Sequence, residues 1–157
     1  MRIGNGYDVH PLVENRPLVL GGVAIDWHLG LDGHSDGDVL LHAVCDACIG
    51  AAGRGDLGRH FPPSDPQYKD ADSRAFLRET GKMLAAGHWR VVNLDCIIVA
   101  ERPKLAPHIP QMRDNIAADL DIDAGQINIK ATTTEGLGFC GRERGMAAYA
   151  VVLLDGR

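Results

Sequence analysis

The run WRVVNLDCIIVAE, residues 89–101, decides the fold. Valine and isoleucine dominate it, and before Glu101 only Arg90, Asn93 and Asp95 break its apolar character. Such a β-branched run between Gly87 and Pro103 predicts a strand covered on both faces, a central member of a sheet. Outward from it, residues 73–86 predict a helix that stops at Gly87. Pro103 and Pro107 bracket a turn, after which Ile109, Met112, Ile116 and Leu120 recur at the spacing of one helix face. QINIKATTTEGLGF (126–139) predicts a strand leaving into a threonine-rich turn, and GMAAYAVVLLD (145–155) a closing strand.

Nearer the N-terminus, residues 2–10 and 17–25 predict strands joined by a turn at Glu14-Asn15-Arg16. The first helix is expected to start at Ser35 as N-cap, with Asp38 completing an S-x-x-D capping box, and to stop near Gly53. Residues 54–72 carry three prolines and no period, which predicts a long polar loop of the kind usually kept for function. With no linker or repeat, residues 1–157 are expected to form one domain. Strands interleaved with helices predict an α+β fold, an α/β sandwich with helices against a mixed β-sheet.

At 157 residues and 45% hydrophobic, the chain is long enough to bury a sizeable core. A net charge of −5 and a pI near 5.7 argue against a nucleic-acid partner. The start MRIGNGYDVHPL lacks the apolar core of a signal peptide, and no apolar run reaches membrane-spanning length. No membrane association and a cytoplasmic location are therefore expected. The four cysteines, Cys45, Cys48, Cys96 and Cys140, suit a reducing compartment. Cys45 and Cys48 form a C-x-x-C, but it lies within an alanine-rich helix and has no second pair, so packing is the expected role.

Asp8-Val9-His10 puts two metal-ligand types on one face of a strand. His42, on the first helix, would complete a His₂Asp set that leaves a coordination position open, as catalytic zinc sites do. Asp46, one helical turn on, is the expected acceptor orienting His42. The same spacing also fits a strand-end ion pair beside an unrelated histidine. His34 stands at a helix N-terminus, where anions are favoured, and equally fits a surface turn. Thr132, Thr133, Thr134 and Glu135 fit either a phosphate- and cation-binding cluster or a plain β-turn. The P-loop, the G-x-G-x-x-G fingerprint and the G-x-S-x-G elbow are all missing from the sequence, which excludes the commonest nucleotide and hydrolase folds.

Taken together, GYDVHPL, GHSDGDVLLHAVCDA, GDLGRHFPPSDPQYKDADS, APHIPQM and NIKATTTEGLGFCGRERG closely resemble the 2-C-methyl-D-erythritol 2,4-cyclodiphosphate synthases, in order and across essentially the whole chain. The resemblance implies a lyase of the non-mevalonate isoprenoid route that closes a cyclic diphosphate and releases CMP from a cytidine diphosphate substrate. It implies one Zn²⁺ or other divalent ion per subunit on Asp8, His10 and His42, and Mg²⁺ or Mn²⁺ with the substrate diphosphate at Glu135. It makes His34, Thr133 and Glu135 the catalytic group. Substrate contacts are implied at Ser35, Asp56, Gly58, Phe61, Asp65, Ala100, Lys104, Ala106, Ala131, Thr132, Phe139 and Arg142.

The implied assembly is a ferredoxin/chorismate-mutase-like homotrimer with helices on one face of the sheet and active sites between subunits, in a bacterial cytoplasm. Asn5, Arg144 and Tyr149 depart from the family pattern, so no ligand of the trimer's central channel is carried over. The C-x-x-C has no counterpart there either. A zinc phosphoesterase using water, and a nucleotide-binding scaffold with a structural metal, are the competing readings of the same residues.

Overall fold

A computed structural model describes residues 1–156. Seven strands and five α-helices follow one another as β1 (Arg2–Glu14), β2 (Leu18–Leu20), β3 (Val23–Ile25), β4 (Leu29–Leu31), α1 (Val39–Ala51), α2 (Leu57–His60), α3 (Ser73–Ala86), β5 (Trp89–Val99), α4 (Ile109–Leu120), β6 (Ile127–Thr132), α5 (Gly138–Gly141) and β7 (Gly145–Gly156). The main sheet has the order β4-β1-β7-β5-β6. Only β5 and β6 run parallel, so the sheet is mixed as expected. The helices α3 and α4 fall where the sequence periodicity put them.

Several expectations are corrected. The strand at 89–101 is interior but not the middle one, which is β7. Its burial alternates along its length, so one face alone is covered within this chain. The segment 17–25 is two short strands, β2 and β3, that turn at Gly21-Gly22 and pair with each other, while β1 pairs with β4 and β7. The loop 54–72 contains α2 and a 3₁₀ turn at Pro66–Tyr68.

The helix α1 starts later than expected, with Asp38 rather than Ser35 as its N-cap. The reason is long-range. The Asp38 carboxylate is fully buried and accepts from Leu41 N at 3.0 Å, Gly21 N at 3.0 Å and Gly22 N at 2.7 Å. One side chain thus caps α1 and pins the β2–β3 turn to it. Burial pushes its pKa up to about 6 despite those three donors.

Nearly every side chain of α1 is buried between the sheet and α3. Its Leu40, Val44 and Cys48 belong to one core with Met146, Ala148, Ala150, Val152 and Leu154 of β7. The opposite face of the sheet is open. There Ile3, Tyr7 and Val9 of β1 and Tyr149 and Val151 of β7 are 42–74% exposed, and Tyr7 lies over Tyr149 with ring centroids 4.7 Å apart.

Candidate active site

Alternation along β1 sends Gly4, Gly6, Asp8 and His10 to the face that α1 covers. The two glycines let α1 lie close, and beyond them His42 reaches the strand. Asp8 Oδ2 lies 2.9 Å from His10 Nε2 and 3.0 Å from His42 Nδ1, and the two ring nitrogens are 3.1 Å apart. Among the described residues, these three are the group whose potential ligand atoms converge closely enough for a metal ion. Two imidazoles and a carboxylate, each offering one atom to one point, suit a divalent ion.

Burial alone would raise Asp8, but hydrogen bonds from His10 and His42 outweigh it and hold the carboxyl at about 2. For His10, burial is outweighed by the bond to Asp8, so its pKa rises. The far nitrogen of His10, Nδ1, lies 2.6 Å from the Asp32 carbonyl, which orients the ring.

A cavity of about 210 Å³ opens beside the triad, lined by Asp8, His10, His34, Ser35, His42, Gly58 and Phe61 together with Leu57, Pro63, Tyr68 and Phe76. The sequence had suggested the first seven of these for the site. Phe61 stacks on Phe76 at 4.7 Å, and Tyr68 stands edge-on to both at 5.6 Å, so the 54–72 segment forms an apolar wall. His34 Nε2 is 3.3 Å from the Asp65 carbonyl across the mouth. Arg16 donates to the carbonyls of Gly33 and Ser35, fixing the turn that carries His34. Asp56 and Asp65 do not line the cavity; their carboxylates cap α2 and the 3₁₀ turn. Among the described residues, the groove between Arg90 and Asp121 holds no such group of converging ligand atoms.

The role expected of Asp46 is corrected. Its carboxylate accepts from Leu57 N at 3.0 Å and so ties down α2. His42 Nε2 instead faces Ser73 Oγ at 2.9 Å and Ser35 Oγ at 3.1 Å. The sequence reading missed Ser73. Its signal is the pair Asp72-Ser73: Asp72 caps α3, which leaves the hydroxyl of Ser73 for another use.

The remaining expected residues form a second group at the same end of the sheet, with β7 and β5 between them and β1. Thr132 ends β6 and bonds through its carbonyl to Ala100 N at 3.0 Å. The turn after it carries Thr133 and Glu135, both exposed, with Thr133 Oγ1 donating to Glu135 Oε1 at 3.3 Å. Glu101, also missed, accepts from Thr134 N at 2.9 Å and Gly136 N at 3.3 Å and so fixes that turn. Backbone donation from Thr134 leads the lowering of its pKa. Lys104, Ala106, Ala131, Phe139 and Arg142 are exposed nearby, and Ala100 is buried. None of this second group lines the cavity at the triad.

A family model described as the YgbB family matches residues 1–155 of this chain. The chain belongs to the YgbB family. A relative from Geotalea uraniireducens called 2-C-methyl-D-erythritol 2,4-cyclodiphosphate synthase is 62% identical over 155 residues, 99% of each chain. Among solved structures, the bifunctional IspDF of Campylobacter jejuni superposes with a TM-score of 0.95 at 46% identity, over 99% of this chain and 42% of that longer one. A CDP complex of IspF from Plasmodium falciparum gives 0.87 at 33% identity, over 99% of this chain and 96% of that one. Both solved structures share the fold over nearly the whole of this chain.

Proposed function

We propose that this chain is a 2-C-methyl-D-erythritol 2,4-cyclodiphosphate synthase. The observation that carries this reading is the 62% identity, along the full chain, to a relative of that name. The convergent Asp8, His10 and His42 agree with it. In the reaction, an oxygen of the substrate's 2-phosphate attacks the β-phosphorus of its cytidine diphosphate. The bond from that phosphorus to the bridging oxygen breaks, and CMP leaves with the bonding pair. The attacking phosphate is already anionic, so no nucleophile–base pair is needed, and positioning and charge stabilisation dominate.

In this reading Asp8, His10 and His42 hold one Zn²⁺, which when bound supplies Lewis acidity to the diphosphate. His34, at the mouth of the cavity, donates to the phosphate oxygens, and Ser35 supports His42 at its base. Gly58, Phe61 and the segment through Asp65, with Asp56 at its start, enclose the methylerythritol part. Thr133 donates to the diphosphate, and Glu135 receives the Mg²⁺ or Mn²⁺ that enters with the substrate. Residues Ala100, Lys104, Ala106, Ala131 and Thr132 form the cytidine pocket, flanked by Phe139 and Arg142.

A cavity of about 210 Å³ is smaller than the ~300–1,000 Å³ typical of ligand sites, so the triad side holds only part of a nucleotide-sized substrate. This supports a homotrimer in which one subunit's triad faces the next subunit's threonine turn. The open apolar sheet face supports the same assembly. Among the described residues, no helix is long and apolar enough to cross a membrane, and we place the enzyme in a bacterial cytoplasm.

Phosphorus NMR of the purified protein with the cytidyl substrate, Zn²⁺ and Mg²⁺ tests the proposal. A cyclic diphosphate with stoichiometric CMP is expected. A linear hydrolysis product would make the protein a phosphoesterase.

A further inference from the structure

The side of His42 turned away from the triad meets a buried polar chain that none of the roles above uses. Ser73 is fully buried at the start of α3, and its Oγ lies 2.9 Å from His42 Nε2 and 2.5 Å from Asp36 Oδ1. Asp36 also accepts from Ser73 N at 3.0 Å and from Asp38 N at 3.1 Å, so the carboxylate is fixed by backbone on both sides. Backbone bonds from Asp36 N to Ala71 O (3.1 Å) and from Asp70 N to His34 O (2.8 Å) join the same two segments.

The direction of this chain follows from what each group can donate. A hydroxyl has one proton, and a carboxylate only accepts. The Ser73 proton therefore points to Asp36, and the Ser73 oxygen must accept from His42 Nε2–H. Ser35 Oγ, at 3.1 Å, is a weaker second acceptor. With Nε2–H held by Ser73, a proton on Nδ1, which bonds Asp8 in the metal-free triad, is the one a metal ion displaces, and the Nδ1 lone pair then meets the same point as Asp8 and His10.

We propose that Ser73 and Asp36 are positioning residues that hold His42 in its metal-binding tautomer. Both also join the 33–38 turn to the start of α3 and the end of the 54–72 segment. The inference rests on the metal reading of Asp8, His10 and His42. It yields a distinctive expectation for the isosteric change Asp36→Asn. At either oxygen's position the amide nitrogen faces a backbone donor, Asp38 N or Ser73 N. The amide therefore loses one of the bonds that fix it and holds the Ser73 hydroxyl, and through it His42 Nε2, less firmly.

The test is Zn²⁺ titration of the metal-free protein against a chromophoric chelator, for wild type, Ser73→Ala, Asp36→Asn and the double variant. Fold is monitored by circular dichroism. Each single change is expected to raise the zinc dissociation constant by roughly 10–100-fold, the usual range for a partner behind a metal ligand. The double variant should bind no worse than the weaker single one, since Asp36 acts through Ser73. Nitrogen-15 spectra of the zinc form should show a slowly exchanging His42 Nε2–H in wild type that exchanges faster in Ser73→Ala. If Asp36→Asn does not fold, Ser73→Ala alone decides by its affinity and its Nε2–H exchange. Wild-type affinity in Ser73→Ala, or losses that multiply in the double variant, overturn the positioning role and leave the metal reading standing. A wild-type protein that takes up no zinc overturns both.

Discussion

A methyl group built on Gly6 of β1 would stand 2.0 Å from the carbonyl oxygen of Ala43 on α1. Gly4 faces the Ala47 carbonyl in the same way, at 2.1 Å. Two missing side chains thus let a helix backbone lie directly on a strand backbone, and that contact brings His42 within reach of Asp8 and His10. Gly6→Ala is expected to destabilise the protein by about 3 kcal/mol, the upper end of overpacking costs. Denaturant unfolding measures the loss. Zinc affinity should fall with it, because α1 carries His42; an unchanged affinity in folded Gly6→Ala would separate the close approach from the site.

Stability of the metal-free protein should depend on pH through Asp8. Its folded pKa of about 2 lies below the ordinary 3.8, so ionised Asp8 contributes stability above pH ~4 that is lost as pH falls towards 2. The shift corresponds to about 2 kcal/mol. His10 is raised above its ordinary 6.5, so its share is full below that value and fades as pH rises past it. Unfolding curves of wild type and Asp8→Asn should therefore lie furthest apart near pH 5 and converge towards pH 2. A constant gap across that range would remove the ion-paired account of the triad.

The fold was largely legible because most of its signals are local. The helices α3 and α4 follow from apolar spacing, and Asp8 and His10 share a face by simple alternation. The errors cluster where a long-range partner decides. Ser35 and Asp38 are both good caps, and Asp38 wins because the Gly21-Gly22 amides, distant in sequence, also need its carboxylate. Asp46 is well spaced to support His42, yet Leu57 N takes its carboxylate while Ser73 arrives from another helix. The run 89–101 reads as covered on both faces because Val92, Ile97 and Val99 lengthen its apolar run, although they share an outer face with Arg90, Asn93 and Asp95 that is open in the single chain.

The two histidines of the 34–42 stretch should separate by function. His42→Ala is expected to lose bound zinc, since it removes one of three converging ligand atoms. His34→Ala should keep zinc and lower kcat by about 10²–10³-fold, the scale for removing one transition-state donor. Metal analysis beside CMP release distinguishes them. Equal zinc loss in both variants would refute the division.

The cysteines should be inert in the native protein. Burial pushes the Cys48 and Cys96 thiols up to about 12, and Cys45 higher still, so hardly any thiolate exists at neutral pH. An aqueous thiol reagent should label them only on unfolding. Fast labelling of Cys45 or Cys48 in the folded state would reopen a redox role for the C-x-x-C.

Glu101 gives the last prediction. Its carboxylate accepts from Thr134 N and Gly136 N, which sets the turn presenting Thr133 and Glu135. Glu135 has φ +54°, a left-handed backbone that a side chain adopts at some cost, so the turn needs this outside support. Glu101→Ala should lower kcat/KM roughly tenfold, in keeping with the loss of charge-assisted hydrogen bonds. Amide exchange at Gly136 should quicken. Zinc affinity should stay at the wild-type value, because β5 and β7 separate this turn from the triad strand. A fall in zinc affinity as large as the fall in turnover would show that the two halves of the site are not independent.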